Sequence, residues 1–326
     1  MKTKYIHISI ALLALAFTAC QREIEYDGPC EVRVRAYLQD EVSVTRGYTN
    51  MMDNLADYDD FTAELFVSNG TRATSSFMSK DGDQLNTSLR LENGQYWFHG
   101  YAPWKDEATC TPAANTTTMT IPGVPGIGNT DLLLIKKEDS LTIDNTEEKS
   151  VTLKMDHLMA KVTPYFYIDT TYAQMRSIRI KKVEFLIDAA NVYTLTATYN
   201  LTPSPVTYNV AWDATGTQAL TATAYENAAP EESDTLTQTK WEQTYGECYL
   251  SPEQSVDQLK MRVTYDVYDT EGAITRSDAV ATNAILRLKN ETLTPGTNYK
   301  LSIRVLPTYL YSLSDHDQEN SLLLTD

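Results

Sequence analysis

Glu31-Val32-Arg33-Val34-Arg35-Ala36-Tyr37-Leu38 alternates polar and apolar side chains with a period of two. Successive side chains of an extended chain point to opposite faces, so this stretch predicts a strand with one apolar face. The same pattern recurs outward from it. Val42-Ser43-Val44-Thr45-Arg46 is a second short alternating piece after an acidic turn, and Phe61 to Val67 is a third. Asn69-Gly70, Asp81-Gly82 and Asn93-Gly94 then mark turns at intervals of about a dozen residues, the spacing of hairpins in a sandwich or barrel. Tyr96-Trp97-Phe98-His99-Gly100-Tyr101-Ala102 reads as an aromatic strand ended by Pro103.

Residues 111–130 carry Pro112, Pro122 and Pro125 with Gly123, Gly126 and Gly128, and are expected to form a loop. Asp131 to Ile135 is too short for a helix and reads as a buried strand, followed by a charged, exposed stretch over 136–150. Val151 to Met155 and Ala160 to Ile168 resume the strand pattern. A domain boundary is placed near 150, giving an N-terminal domain over 20–150 and a C-terminal domain over 151–326. In the second half, strands are expected at Ile178 to Ile187, Val192 to Leu201, Val206 to Trp212, Leu259 to Tyr268, Ala273 to Leu288 and Tyr299 to Val305. Asp269-Thr270-Glu271-Gly272 suits a hairpin turn. Residues 213–245 lack periodicity and are expected to be a long loop or an excursion. A short helix fits near Asp169–Met175. The fold class is all-β, two antiparallel β-sandwich domains in tandem.

Composition agrees with that class. Tyr, at 21 residues against 7 Phe, and abundant Thr suit half-buried pleated surfaces. The formal charge of -17 argues against nucleic acid, whose phosphates reward basic proteins. It argues equally against a peripheral protein held by anionic headgroups, and suits the surface of an exported protein.

The chain opens with Lys2 and Lys4, then an apolar run from Ile8 to Phe17, then Thr18-Ala19-Cys20. A basic start, a short apolar core and small residues before a cleavage point make a secretory signal over 1–19. The run is too short to span a bilayer, which takes roughly 20 apolar residues as a helix. The cysteine at that point makes the segment similar to a bacterial lipoprotein signal, in which Cys20 becomes the lipidated first residue. Cytoplasmic chemistry is thereby excluded.

Motifs for catalysis or cofactors are absent: no HExxH, GxSxG, P-loop or GxGxxG occurs. His99, His157 and His316 lie far apart in sequence. Asp81-Gly82-Asp83 lacks the closing glutamate of a calcium loop and reads as a hairpin turn. Asp315-His316-Asp317 with Glu319 reads as a solvated tail. No enzyme activity, metal or cofactor is expected. Cys30, Cys110 and Cys248 are spaced too widely for a CxxC or zinc motif, and their disulfide state is left open.

Several segments together resemble the fimbrillin superfamily, the subunits of lipoprotein-derived pili of Bacteroides-type bacteria. They are Cys20, the early strand followed by Thr45-Arg46, the run Leu153-Lys154-Met155-Asp156-His157-Leu158-Met159-Ala160-Lys161-Val162, and Leu293-Thr294-Pro295-Gly296-Thr297-Asn298-Tyr299-Lys300-Leu301-Ser302-Ile303. The resemblance implies two tandem transthyretin-like β-sandwiches and a route to assembly. A precursor lipidated at Cys20 reaches the outer membrane, and an arginine-specific protease cuts after the first strand region, here between Arg46 and Gly47. A neighbouring pilus subunit then fills the opened groove with a strand of its own. The output is adhesion to a host or bacterial surface receptor. The tail beyond Val305 looks short for a donor strand of ordinary length, so a tip or anchor subunit is favoured over the stalk. The alternative is a membrane-anchored, surface-exposed glycan-binding lipoprotein, with Trp97, Trp104, Trp212 or Trp241 stacking on sugars.

Overall fold

The computed structural model describes residues 28–38, 44–45, 48–50, 55, 58–103, 107–144, 147–202, 204–236, 243–285, 293–305 and 310–314. In chain order the strands of the first half are β1 Cys30–Leu38, β2 Val44–Thr45, β3 Tyr48–Asn50, β4 Thr62–Ser68, β5 Ala73–Asp81, β6 Gln84–Leu91, β7 Gly94–Ala102, β8 Thr109–Pro112, β9 Thr116–Pro125, β10 Ile127–Gly128, β11 Leu133–Lys136 and β12 Leu141–Ile143. Those of the second half are β13 Lys149–His157, β14 Ala160–Ile168, β15 Ser177–Asn200, β16 Thr207–Glu226, β17 Cys248–Leu250, β18 Lys260–Tyr268, β19 Ile274–Ile285, β20 Thr297–Val305 and β21 Leu310–Ser314. The only α-helix among the described residues is the single turn Thr170–Ala173, started by the Asp169 carboxylate accepting from the Thr171 N–H.

The first ladder runs β11-β13-β1-β6-β5-β4-β7 and closes because β7 also pairs β11. Alternation sends one side chain in two inward. Val32, Val34 and Ala36 of β1, Leu65 of β4, Phe98 of β7 and Leu153 of β13 meet in one buried core. A second ladder, β10-β17-β14-β20-β3-β2, faces a third, β19-β18-β15-β9-β8, across a second core around Phe166, Phe185 and Ile303. The two systems follow one rule. In the first, the opening strand β1 pairs parallel with the closing strand β13 and antiparallel with β6. In the second, β14 pairs parallel with β20 and antiparallel with β17. The chain moves between the two systems more than once: β2 and β3 lie on the second ladder, β8 and β9 on the third and β10 on the second, before β13 leads into β14 through Leu158–Met159.

β15 joins the layers. Its first half pairs β18 and points Ile180, Val183 and Phe185 into the second core. Its second half pairs β9 and points Tyr193, Leu195, Ala197 and Tyr199 onto the outer face of the first shell, against Phe66 and Tyr101.

Three sequence expectations are corrected. Residues 111–130 are not a loop, since β9 occupies 116–125 with alternating burial. Pro122 fits because it falls at the register shift between Tyr193 and Leu195, where no ladder N–H is required of it. Residues 213–226 are not an excursion either, because β16 continues to Glu226 against β15. Its middle buries neither face, so no alternation was present to read. The two strands expected over 178–201 are one continuous β15. The Asp81-Gly82 and Asp269–Gly272 turns form as expected, with Gly82 and Gly272 at φ +63° and +82°.

Candidate assembly site

β1 occupies a slot in the closed first ladder. Residues Cys30 to Ala36 pair with Leu91 to Leu85 of β6, and Val32 to Leu38 pair with Lys149 to Met155 of β13. Both edges of the strand are therefore satisfied by backbone hydrogen bonds. Its inward residues Cys30, Val32, Val34 and Ala36 are at most 1% exposed. Burying such side chains is worth roughly 1.5–3 kcal/mol for each valine. The Cys30 thiol donates to the Glu147 carbonyl at 2.8 Å.

The outward face is different in kind. Glu31, Arg33 and Arg35 are exposed. Arg33 pairs with Glu148 at 2.9 Å, and both side chains are about half exposed. Pairs of that sort contribute about 0–1 kcal/mol. The hold on β1 is thus its ladder and its apolar face. Without β1, the ladder would present the bare edges of β6 and β13 and an opened apolar core, which is the geometry that accepts a strand from another chain.

Cys20, Arg46 and Gly47 lie outside the described residues. The strands on either side of Arg46-Gly47 are described. β2 and β3 pair with each other, Val44 with Thr49 and Thr45 with Tyr48. β3 then pairs Tyr48 to Asn50 with Tyr299 to Thr297 on β20. The expected cleavage position therefore falls between two strand pieces docked on the second ladder, while the strand it would release sits in the first. Among the described strands, β2 is the outermost there and pairs with β3 only.

The same edge of β20 carries β21, which pairs Leu310 to Ser314 with Val305 to Leu301. Sequence reasoning passed over this strand. The only signal was Leu310-Tyr311-Ser312-Leu313, too short to stand out. The segment after the first strand and the segment near the chain end thus share one strand edge. Residues 315–326, including His316 and the acidic run, lie outside the described residues.

The remaining candidates scatter. Cys30 and Cys248 are buried and Cys110 is partly buried, all three as free thiols. His157 contacts the buried Asp131 carboxylate through Nδ1. His99 is fully buried, and burial lowers its pKa to about 3. Trp97 is half-buried and Trp212 packs edge-to-face on Tyr193 at 5.6 Å. Trp104 and Trp241 lie outside the described residues. Among the described residues, no group of three or more His, Cys, Asp or Glu is placed to hold a metal ion. No described helix is long and apolar enough to cross a membrane.

No family model and no curated protein matches the chain. Among solved structures it is similar to a candidate cell adhesion protein from Bacteroides uniformis, at 12% identity and TM-score 0.45, covering 88% of this chain and 96% of that one. A candidate cell adhesion protein from Bacteroides fragilis is similar at 14% identity and TM-score 0.45, covering 90% and 99%. A fimbrial protein from Bacteroides vulgatus is similar at 12% identity and TM-score 0.41, covering 87% and 98%. These neighbours are named as candidate cell adhesion proteins and a fimbrial protein of Bacteroides. At TM-scores of this size, function is read from the chain's own strands.

Proposed function

We propose that this chain is a non-enzymatic structural subunit of a surface pilus, delivered as a lipoprotein through Cys20 and assembled by strand exchange, with adhesion as its output. The observation that carries the reading is the position of β1. It is the first of the described strands, it lies between β6 and β13 in a closed ladder, and it supplies four buried core residues. A single cut after Arg46 would leave β3 on β20 and free β1 together with β2. The closed shell would then have one strand-shaped gap. Before the cut, β1 satisfies the same edges, which keeps the precursor from polymerising.

Tip and anchor subunits differ in what becomes of β1. A tip subunit needs the slot vacated and filled by a neighbour. An anchor keeps β1 and its lipid. The partners of this reading are other pilus subunits, the outer membrane through lipidated Cys20, an arginine-specific protease and a surface receptor.

N-terminal analysis of the surface-extracted protein tests it. A start at Gly47 in polymerised material is the expected result for a tip or stalk subunit, and a start at lipidated Cys20 in pilus-associated material is that for an anchor. Lipidated chain that still carries residues 21–46 and polymerises with further copies of itself would overturn strand exchange at this slot.

A further inference from the structure

A second site lies on the first shell, away from the β1 slot. Trp97 on β7 lines a cavity of about 370 Å3. Four segments from different strands converge on it: β7 with Gln95, the β8–β9 turn with Asn115, the β11–β12 link with Asp139 and Ser140, and the β15–β16 turn with Ser204. The indole is half-buried and packs against the apolar layer between the shell and β15. It therefore presents a fixed aromatic surface to the cavity, with little side-chain entropy left to lose on binding.

The rim is held in place by its own bonds. Gln95 Nε2 donates to Ser140 Oγ at 2.7 Å, and Ser204 Oγ donates to Asp139 Oδ1 at 2.5 Å. The Leu201 N–H donates to the Asn115 carbonyl at 2.9 Å, and the Val206 N–H to the Glu138 carbonyl at 2.6 Å. These tie the β15–β16 turn to the other segments.

Chemistry narrows the ligand. The lining side chains are the Trp97 indole, the aliphatic groups of Ala114, Leu201 and Val206, amides, hydroxyls and the carboxylates of Glu138 and Asp139. Glu138, also on the rim, is engaged by Lys154 at 2.9 Å. Among the described residues, no cation lines the cavity to receive a phosphate, sulfate or carboxylate. One indole and three aliphatic side chains set among seven polar ones are a poor seat for a lipid chain. What fits is a neutral molecule with an apolar face for the indole and an edge of hydroxyls for the amides and Asp139, which is the description of a pyranose ring. The volume falls in the range of small-ligand pockets, about 300–1,000 Å3.

We infer that the Trp97 cavity is a saccharide-binding site. It deepens the adhesion reading by giving that output a ligand class, yet it does not depend on strand exchange. The full-length chain, purified in detergent, is titrated calorimetrically with lactose, N-acetyllactosamine, mannobiose and chitobiose. Saturable binding of at least one disaccharide is expected. Trp97→Ala should weaken it more than about tenfold, as truncation of a central aromatic contact does, while Trp97→Phe retains most of it. Should Trp97→Ala fail to fold, the paired rim variant Gln95→Ala with Asn115→Ala decides, with a similar loss expected. The inference is overturned if none of the four disaccharides binds at millimolar concentration. It is overturned equally if binding survives in both the Trp97 and the rim variants. Neither result touches the N-terminal analysis above, so the two readings fail separately.

Discussion

The imidazole of His99 stacks on the phenol ring of Tyr199, with centroids 4.1 Å apart and planes inclined by 31°. The contact ties β7 of the first shell to β15 of the third ladder. It lies in the apolar layer between them. Among the described residues, neither His99 nitrogen, nor the Tyr199 hydroxyl, has a hydrogen-bond partner.

His99 makes stability depend on pH. Burial lowers its pKa from 6.5 to about 3, so the folded chain holds it neutral while the unfolded chain protonates it below pH 6.5. The unfolded state binds more protons in that window. Stability from this group is therefore fully present above pH 6.5 and is lost as pH falls towards 3, at up to about 1.4 kcal/mol per pH unit. His99→Phe should remove this component. Urea denaturation of both chains at pH 7.5 and pH 4.5 measures it: the wild type loses more stability between the two than the variant.

Opposite faces of β1 should respond oppositely. Val34 is 1% exposed and Arg35 is on the solvent side. Val34→Asp buries a carboxylate in the first core and should cost about 3–5 kcal/mol. Arg35→Ala should stay within about 0.5 kcal/mol. Paired thermal melts of the two variants check the assignment of faces.

Gly246 sits where the chain approaches β16. Its φ is +69°, and a Cβ there would lie 1.6 Å from the Ala224 carbonyl oxygen. The clash is with backbone, which has little room to yield. Gly246→Ala should destabilise by more than about 2 kcal/mol, whereas Gly216→Ala, with open space around it, should not. Denaturant midpoints distinguish the two.

The three described thiols should be slow to alkylate in the native protein. Cys30 and Cys248 are buried. The Cys110 thiol is pushed up to about 12, first by burial and then by the charge of Glu64, so its reactive thiolate is scarce at pH 8. Mass-spectrometric mapping after N-ethylmaleimide should show little label at these positions natively and full label in guanidinium. A disulfide between any two of them would contradict the packing.

Arg46→Ala should leave the precursor folded and block its conversion to polymer. The substitution removes the expected cut. Wild-type melting behaviour with no mature form on the surface is the expected outcome, read by melting and by immunoblot of surface extracts.

Much of the fold was legible locally. Alternation in Glu31 to Leu38 marked β1 and assigned its faces, because the side-chain period of a strand is a property of the extended backbone itself. Turn residues such as Asp81-Gly82 marked hairpins for the same reason. β9 was misread because Pro122 and Gly123 look like loop chemistry until they are seen to form a bulge opposite Thr194, between the Tyr193 and Leu195 pairs. The middle of β16 was missed because a strand with neither face buried carries no hydrophobic period.

The candidate sites divide the same way. The expected export segment and the expected cut at Arg46-Gly47 were read from residue order and type alone. The Trp97 cavity could not, since Gln95, Asn115, Asp139 and Ser204 come together only through the turns of four separate strands.

By itself the sequence determined strand class, strand faces and the turns between neighbours, all of which follow from backbone geometry within a few residues. Only the tertiary structure decided that β1 is locked between β6 and β13, with Val34 opposite Val151, and that β3 and β21 share one edge of β20. Those pairings join residues far apart in the chain. They are chosen by which apolar faces can close a core together, and no local period records that choice.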